Sequence, residues 1–263
     1  MGAKGNIKLI FSHFLLNLKK EWQYKTSFFM QIIMMIFNDA FHMIQWLIIF
    51  SVVDDIGGYG FRDVMLYWAI FAAAYGFSHM FFSGAYKIKD LVYDCGLDVY
   101  LTQPKNVLIN VSTSKTDIST IGDLLYSFIV LIIIGAPWYW YLLILPVGFC
   151  AALLLLGVYV TYVSLCFYVK RGEVLAKTSD SILYKAALYP PVIFNNGVKL
   201  LIGTIIPSIF MTFIPASYIF ISFNIWWLLA FVGVTTLWVV LAFICFNKGL
   251  KRYNSGSVMS GRI

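Results

Sequence analysis

The chain has 263 residues, of which 61% are hydrophobic and 12% charged, where an ordinary soluble domain carries about 25% charged residues. This balance excludes a soluble enzyme. The formal net charge of +7 does not point to nucleic acid either, because the basic residues are scattered beside long apolar runs, where they fix orientation and meet anionic lipid.

The first predicted element runs from Asn6 to Tyr24. Ile7, Phe11, Phe14, Leu18 and Trp22 recur every three or four residues while Lys8, Ser12, Lys19 and Glu21 take other faces. That spacing predicts an amphipathic helix, lying in the membrane interface or packed on protein, as an N-terminal unit over residues 1–25. His13 and Asn17 interrupt its apolar part and Lys19 and Lys20 follow, so it does not read as a cleaved signal peptide. Asn6 stands where a myristoylation signal needs Ser or Thr.

Six spanning helices are expected in a transmembrane domain over 26–247. They run from about Ser27 to Val53, Val64 to Tyr86, Ile118 to Ala136, Tyr141 to Val169, Val198 to Phe220 and Ile225 to Phe246. Each is close to or above the roughly 20 residues that a crossing needs. Polar loops at about 87–117 and 170–197 and a tail over 248–263 would then share one side. With both termini cytoplasmic, Arg62 is the one basic residue of the 19 Lys and Arg left outside, which is the asymmetry that orients membrane proteins. Trp138, Tyr139, Trp140 and Tyr141, with Trp226 and Trp227, are expected interface anchors. The fold class is therefore all-α integral membrane, six transmembrane helices behind an N-terminal interfacial helix.

The stretch KIKDLVYDCGLDVYLTQPK, Lys87 to Lys105, is too charged for a bilayer interior. Leu91, Val92, Leu97 and Leu101 recur among its charges, with Gly96 midway and Pro104 as a stop, so it reads as a short amphipathic element in water. Asp39 and His42 lie mid-span, three residues apart on one helix face, where they either border a polar pathway or tie helices together with Asn38 and Gln45. His79 is isolated, and Asp123 falls in the first turn of the third span, where the helix dipole favours it. Pro207 and Pro215, with Gly203 upstream, predict a fifth span that is broken near its outer end, where it either continues as a kinked crossing or finishes as a re-entrant piece before Asn224.

Cys95, Cys150, Cys166 and Cys245 have no metal-type spacing and none falls in an expected outer loop, so neither disulfide nor metal is expected. The sequence contains no G-x-x-x-x-G-K-[ST], no H-E-x-x-H and no G-x-S-x-G. The chain is therefore not expected to be an enzyme, and any ATP would be bound by another chain.

These features resemble the membrane subunit of ABC-2-type ATP-binding cassette transporters, and more narrowly a bacterial six-span ABC-2 permease family. The resemblance covers nearly the whole chain. It rests on Gly96, Leu97, Asp98, Leu101, Gln103 and Pro104, then on Tyr189, Pro190 and Phe194. It continues through Ile206, Pro207, Phe210, Pro215 and Ala216 to Gly249, Leu250, Arg252, Tyr253, Ser255 and Gly256. It implies a permease in the bacterial plasma membrane that pairs with an identical or homologous permease chain on two ATPase subunits, which hold ATP and Mg. On that basis the N-terminal interfacial helix and the first cytoplasmic loop would dock on the ATPase, with Asp94, Gly96, Leu97, Asp98, Leu101 and Pro104 forming the coupling surface, Leu97 and Leu101 as anchors, and the segment around Glu173 to Lys185 as a lesser contact. Asp39, His42, Pro207 and Pro215 would border the translocation pathway. Short outer loops and an aromatic-rich interior favour export of a hydrophobic or amphipathic compound. The alternatives are an ion-coupled secondary transporter using Asp39 and His42, and a membrane scaffold without transport.

Overall fold

The computed structural model describes residues 3 to 169 and 172 to 253. Lys170, Arg171, Ser255, Gly256, Arg262 and most of the expected tail lie outside the described residues. Within them the chain is helical, with one isolated bridge between Ile56 and Tyr59.

Helix α1 (Ala3–Trp22) leaves Ile7 and Phe11 exposed on one face. His13 and Asn17, the polar residues that interrupt its apolar run, attach it to the bundle. His13 Nδ1 lies 3.0 Å from Thr113 Oγ1, and Asn17 donates to Thr116 Oγ1 at 3.1 Å. Helix α2 (Lys25–Phe50) is apolar and mostly exposed, burying Phe28, Ile32, Asp39 and Trp46 on a stripe. Helix α3 (Phe61–Phe82) is the centre of the molecule, buried without a break from Val64 to Ala74, as a helix apolar all round must be.

Beyond α3 the chain turns through α4 (Ile88–Tyr93) and α5 (Asp98–Leu101) into α6 (Val107–Thr113) and α7 (Ile121–Ile133). The single amphipathic element expected over Lys87 to Lys105 is thus two short helices, separated where Cys95 takes a positive φ of 57° next to Gly96. Helices α8 (Trp138–Val163) and α13 (Ile225–Leu250) complete the long elements. They touch at Gly157, where a Cβ would lie 2.9 Å from the Trp238 carbonyl carbon, so only glycine permits this approach.

The region between α8 and α13 differs from the expected loop and fifth span. Residues of the expected loop form helix α9 (Gly172–Ala187), which packs along α8. Gly172 abuts Cys166, and Ala176 joins the core cluster of Ile88, Leu97 and Phe246. Further along, Tyr184 meets Phe71 edge-on at 4.7 Å, and Tyr189 meets Trp46 at 5.4 Å. Just past that point a side chain at Gly57, in the loop after α2, would run into Val192.

The expected span over Val198 to Phe220 is instead a hairpin that enters and leaves at one end of the bundle. Helix α10 (Asn196–Thr204) descends until Ile205 O accepts from the Tyr162 hydroxyl at 2.9 Å. Helix α11 (Ser208–Met211), helix α12 (Phe213–Pro215) and a π turn over Ala216–Ile221 then return. Phe213 meets Tyr59 at 5.8 Å and Phe220 meets Trp140 at 5.4 Å, both at the end where α10 began. Pro207 causes the reversal, because it ends the run of helical hydrogen bonds between the two arms.

Among the described residues 4 helices are long and apolar enough to cross a membrane: α2, the run Phe61–Tyr93 that contains α3, the run Trp138–Phe167 that contains α8, and α13. A fifth is counted if α6 and the run Ile118–Ile133 containing α7, bent by 74°, form one span. Helix α9 has 16 residues and carries Lys177, Asp180 and Lys185, so it does not meet that test.

Candidate functional site

The loop from Asp94 to Pro104 is a built surface. A Cβ at position 96 would lie 2.8 Å from Leu91 Cδ2, so a larger residue there would have to displace that side chain. Asn110 donates to Gln103 Oε1 at 2.9 Å, and the Asn106 side chain caps α6 by accepting from Ile109 N–H at 3.2 Å. The Tyr253 hydroxyl sits beside Asp98 and Cys95. Burial first, and then the Asp98 charge, push its pKa up to about 12, so it stays protonated.

Of the residues read as coupling anchors, the structure separates two kinds. Leu97 is 0% exposed within the cluster of Ile88, Val92, Leu108, Val111 and Phe246. It holds the loop on the bundle and presents nothing outward, which corrects its assignment as an anchor. Leu101 is 42% exposed, and Asp94, Asp98 and Pro104 are exposed beside it. Val99, at 65%, belongs to the same surface and was not singled out in the sequence, although its place two residues before Leu101 and one after Asp98 was legible. The region around Glu173 to Lys185 is not a loop on that side. It is helix α9, and of its members Ser179, Leu183 and Ala187 are buried in the bundle.

The second constellation lies where α2, α3, α7 and α9 meet. At Gly122 a Cβ would lie 2.7 Å from the Ile32 carbonyl oxygen, so α7 closes directly onto α2. One residue later Asp123 comes against Asp39, one helical turn beyond Met35. The two carboxyls are 2% and 7% exposed, and Oδ2 of each has no hydrogen-bond donor among the described residues. They border a cavity of about 140 Å³ whose other walls include Asn38, Trp68, Phe71, Tyr75 and Tyr184. His42 is not a wall of it. The ring stacks on Trp68 at 4.9 Å, and Nδ1 lies 3.4 Å from Gln45 Oε1. His79 is structural, stacked between Tyr75 at 3.9 Å and Tyr86 at 4.1 Å. Asp123, read from sequence as a dipole residue, is thus the partner of Asp39. Nothing local could have said so, because 84 positions separate them.

Pro207 and Pro215 are buried in the hairpin and do not border this cavity. Among the described residues no group of three or more His, Cys, Asp or Glu is placed to hold a metal.

Long apolar helices around a central helix buried from Val64 to Ala74, a polar loop built at one end and a hairpin entering from the other define a multi-pass membrane protein. The chain belongs to the family described as ABC-2 family transporter protein, whose model matches residues 28–257, from α2 to beyond α13. It is therefore a membrane permease of the ABC transporter class, whose members associate with an ABC ATPase. Neither the curated proteins nor the solved structures contain a match to it.

Proposed function

We propose that this chain is the membrane subunit of an ATP-driven exporter of hydrophobic or amphipathic compounds in the bacterial plasma membrane. ATP and Mg are held by two partner subunits, and this chain hydrolyses no nucleotide. The observation that carries the reading is the loop Asp94 to Pro104. It is fixed to the bundle through Leu97 and Tyr253, yet it leaves Asp98, Val99, Leu101 and Pro104 facing outward. A held surface of two apolar side chains beside the Asp98 carboxylate is suited to a groove on another protein, and a push on it reaches the bundle through Leu97.

Six crossings follow if α9 is the fifth, after α2, α3, the bent pair of α6 and α7, and α8, with α13 as the sixth. Both termini and the docking loop then share the cytoplasmic side. Lys8, Lys19, Lys20, Lys105 and Lys248 support that orientation, whereas Lys199, on the hairpin, joins Arg62 on the outer side. The exposed face of α9 carries Lys177, Thr178, Ser181 and Lys185 around a surface groove. Such a face at crossing depth turns to water or to another protein rather than to lipid, which supports a second permease chain opposite it.

A cysteine at Val99 carrying a photo-activated crosslinker tests the reading. Capture of a nucleotide-binding subunit is expected from Val99→Cys, and none from Ile7→Cys on the outer face of α1. Equal capture from both, or from neither, would refute the docking surface. An ion-coupled carrier, the second reading, draws on the buried Asp39 and Asp123 pair and requires transport by the chain alone.

A further inference from the structure

We infer that the cavity between α2, α3, α7 and α9 is a binding site for the head group of an amphiphilic amine, held by Asp39 and Asp123. The inference rests on the permease reading and names its class of cargo.

Two carboxyls in contact can form a hydrogen bond only when one of them keeps a proton, since an ionised carboxylate has nothing to donate. Side by side, the two carboxyls are held together either by a shared proton or by a cation placed between them. Asp39 and Asp123 are both more than nine-tenths buried, and each has an oxygen that no donor reaches. Among the described residues neither forms an ion pair; the one ion pair is Lys89 with Asp90, in the polar loop. A lone negative charge in such surroundings is costly unless a cation meets it.

The walls favour an organic cation over a bare ion. Trp68, Phe71, Tyr75 and Tyr184 offer aromatic surface, which attracts ammonium groups. A cavity of about 140 Å³ exceeds by several-fold the roughly 10 to 15 Å³ in which one water is held on this measure. Asn38 both borders the cavity and is exposed, so an alkyl chain can leave on that side toward the apolar surface of α2. Independently of the carboxyls, Trp68 borders the same cavity, is 5% exposed and has an indole N–H that meets no acceptor among the described residues. An oxygen near the amine would satisfy it, which makes an amino alcohol or amino amide a better ligand than a plain alkylamine.

The charged and titratable neighbours are consistent with a cation. His42, stacked on Trp68, is a basic group near Asp39, while Asp117 adds negative charge toward Asp123 and Tyr126 lies near Asp39. Lys177 and Lys185 are on the exposed side of α9, outside the cavity.

The test uses the full chain in a neutral maltoside detergent, where no lipid amine competes. Binding of a dansylated alkyl amino alcohol is followed by fluorescence, with a dansylated alkylsulfonate as control. Saturable binding of the amine is expected, weakened at least tenfold by Asp39→Asn and by Asp123→Asn and unaffected by sodium. Trp68→Phe should abolish the preference for the amino alcohol over the plain alkylamine while both still bind. Competition by lysophosphatidylethanolamine would identify a lipid as the source of the head group, and competition by soluble amphiphilic amines alone a free compound; either supports the site. Equal binding of the sulfonate, displacement by sodium, or amine binding unchanged in both Asp variants would overturn it. If an Asp variant does not fold, the sulfonate, sodium and Trp68→Phe arms still decide. No ATPase takes part, so a chain that retains its ATPase but binds no amine refutes this inference alone.

Discussion

Truncating Leu97 and truncating Leu101 should do opposite things. Leu97 is fully buried among Ile88, Val111 and Phe246, each itself 0% exposed, so the neighbours have little freedom to close a gap. Buried Leu→Ala changes cost about 2 to 5 kcal/mol, and a site this closed places Leu97→Ala at about 3 to 4 kcal/mol. Leu101 is 42% exposed, and Leu101→Ala should stay within about 0.5 kcal/mol of the parent chain. Denaturation of the purified chain in mild detergent measures both, and hydrogen exchange over residues 88 to 101 shows whether the loop has come loose. The matched assay is retention of the ATPase during purification. Leu101→Ala is expected to weaken retention in a fully folded chain, while Leu97→Ala weakens it only in proportion to lost structure. Equal stability losses for the two, or a neutral Leu97→Ala, would refute the division between a holding leucine and a docking leucine.

Gly122→Val should push α7 from α2, since its Cβ would meet the Ile32 carbonyl oxygen at 2.7 Å; about 1 to 3 kcal/mol of stability should be lost, as read by denaturation. His13 gives a pH dependence. Burial and then Lys105 hold its pKa below 6.5, so the docked helix resists a proton that the undocked helix accepts. Attachment of α1 should be complete above pH 6.5 and weaken as the pH falls below it, seen as faster hydrogen exchange in α1 at pH 5.5 than at 7.5. His13→Gln should flatten that difference. Cysteines at Val99 and Val192 should react with an impermeant thiol reagent from opposite sides of the membrane; reaction from the same side would deny that α9 crosses.

The long elements were legible because a crossing of lipid leaves a run of about 20 apolar residues. The polar loop over Lys87 to Lys105 was legible for the converse reason, that its charges cannot enter lipid. Helix α9 was not, because Lys177, Asp180 and Lys185 give it the composition of a loop. Its only trace is the helical spacing of Ala176, Ser179, Leu183 and Ala187, the residues that the bundle buries. Over Val198 to Phe220 the sequence left a broken span and a re-entrant piece both open, because a kinked crossing and a reversal share the same apolar residues. Pro207 signals a break, but what decides between them is where Tyr162, Tyr59 and Trp140 receive the two arms. Asp39 was singled out as intramembrane, but its partner arrives through the glycine contact at Gly122, a tertiary event with no local signature.

The central claim is that the energy comes from a separate subunit seated on Val99 and Leu101. Its most direct test is the ATPase activity that travels with the affinity-tagged chain, compared with that of the doubly substituted Val99→Arg, Leu101→Arg chain at equal expression. The account expects activity with the parent chain and background levels with the variant, both chains being equally folded. Activity that persists in the variant, or parent chain that exports its cargo with no ATPase present, would contradict it.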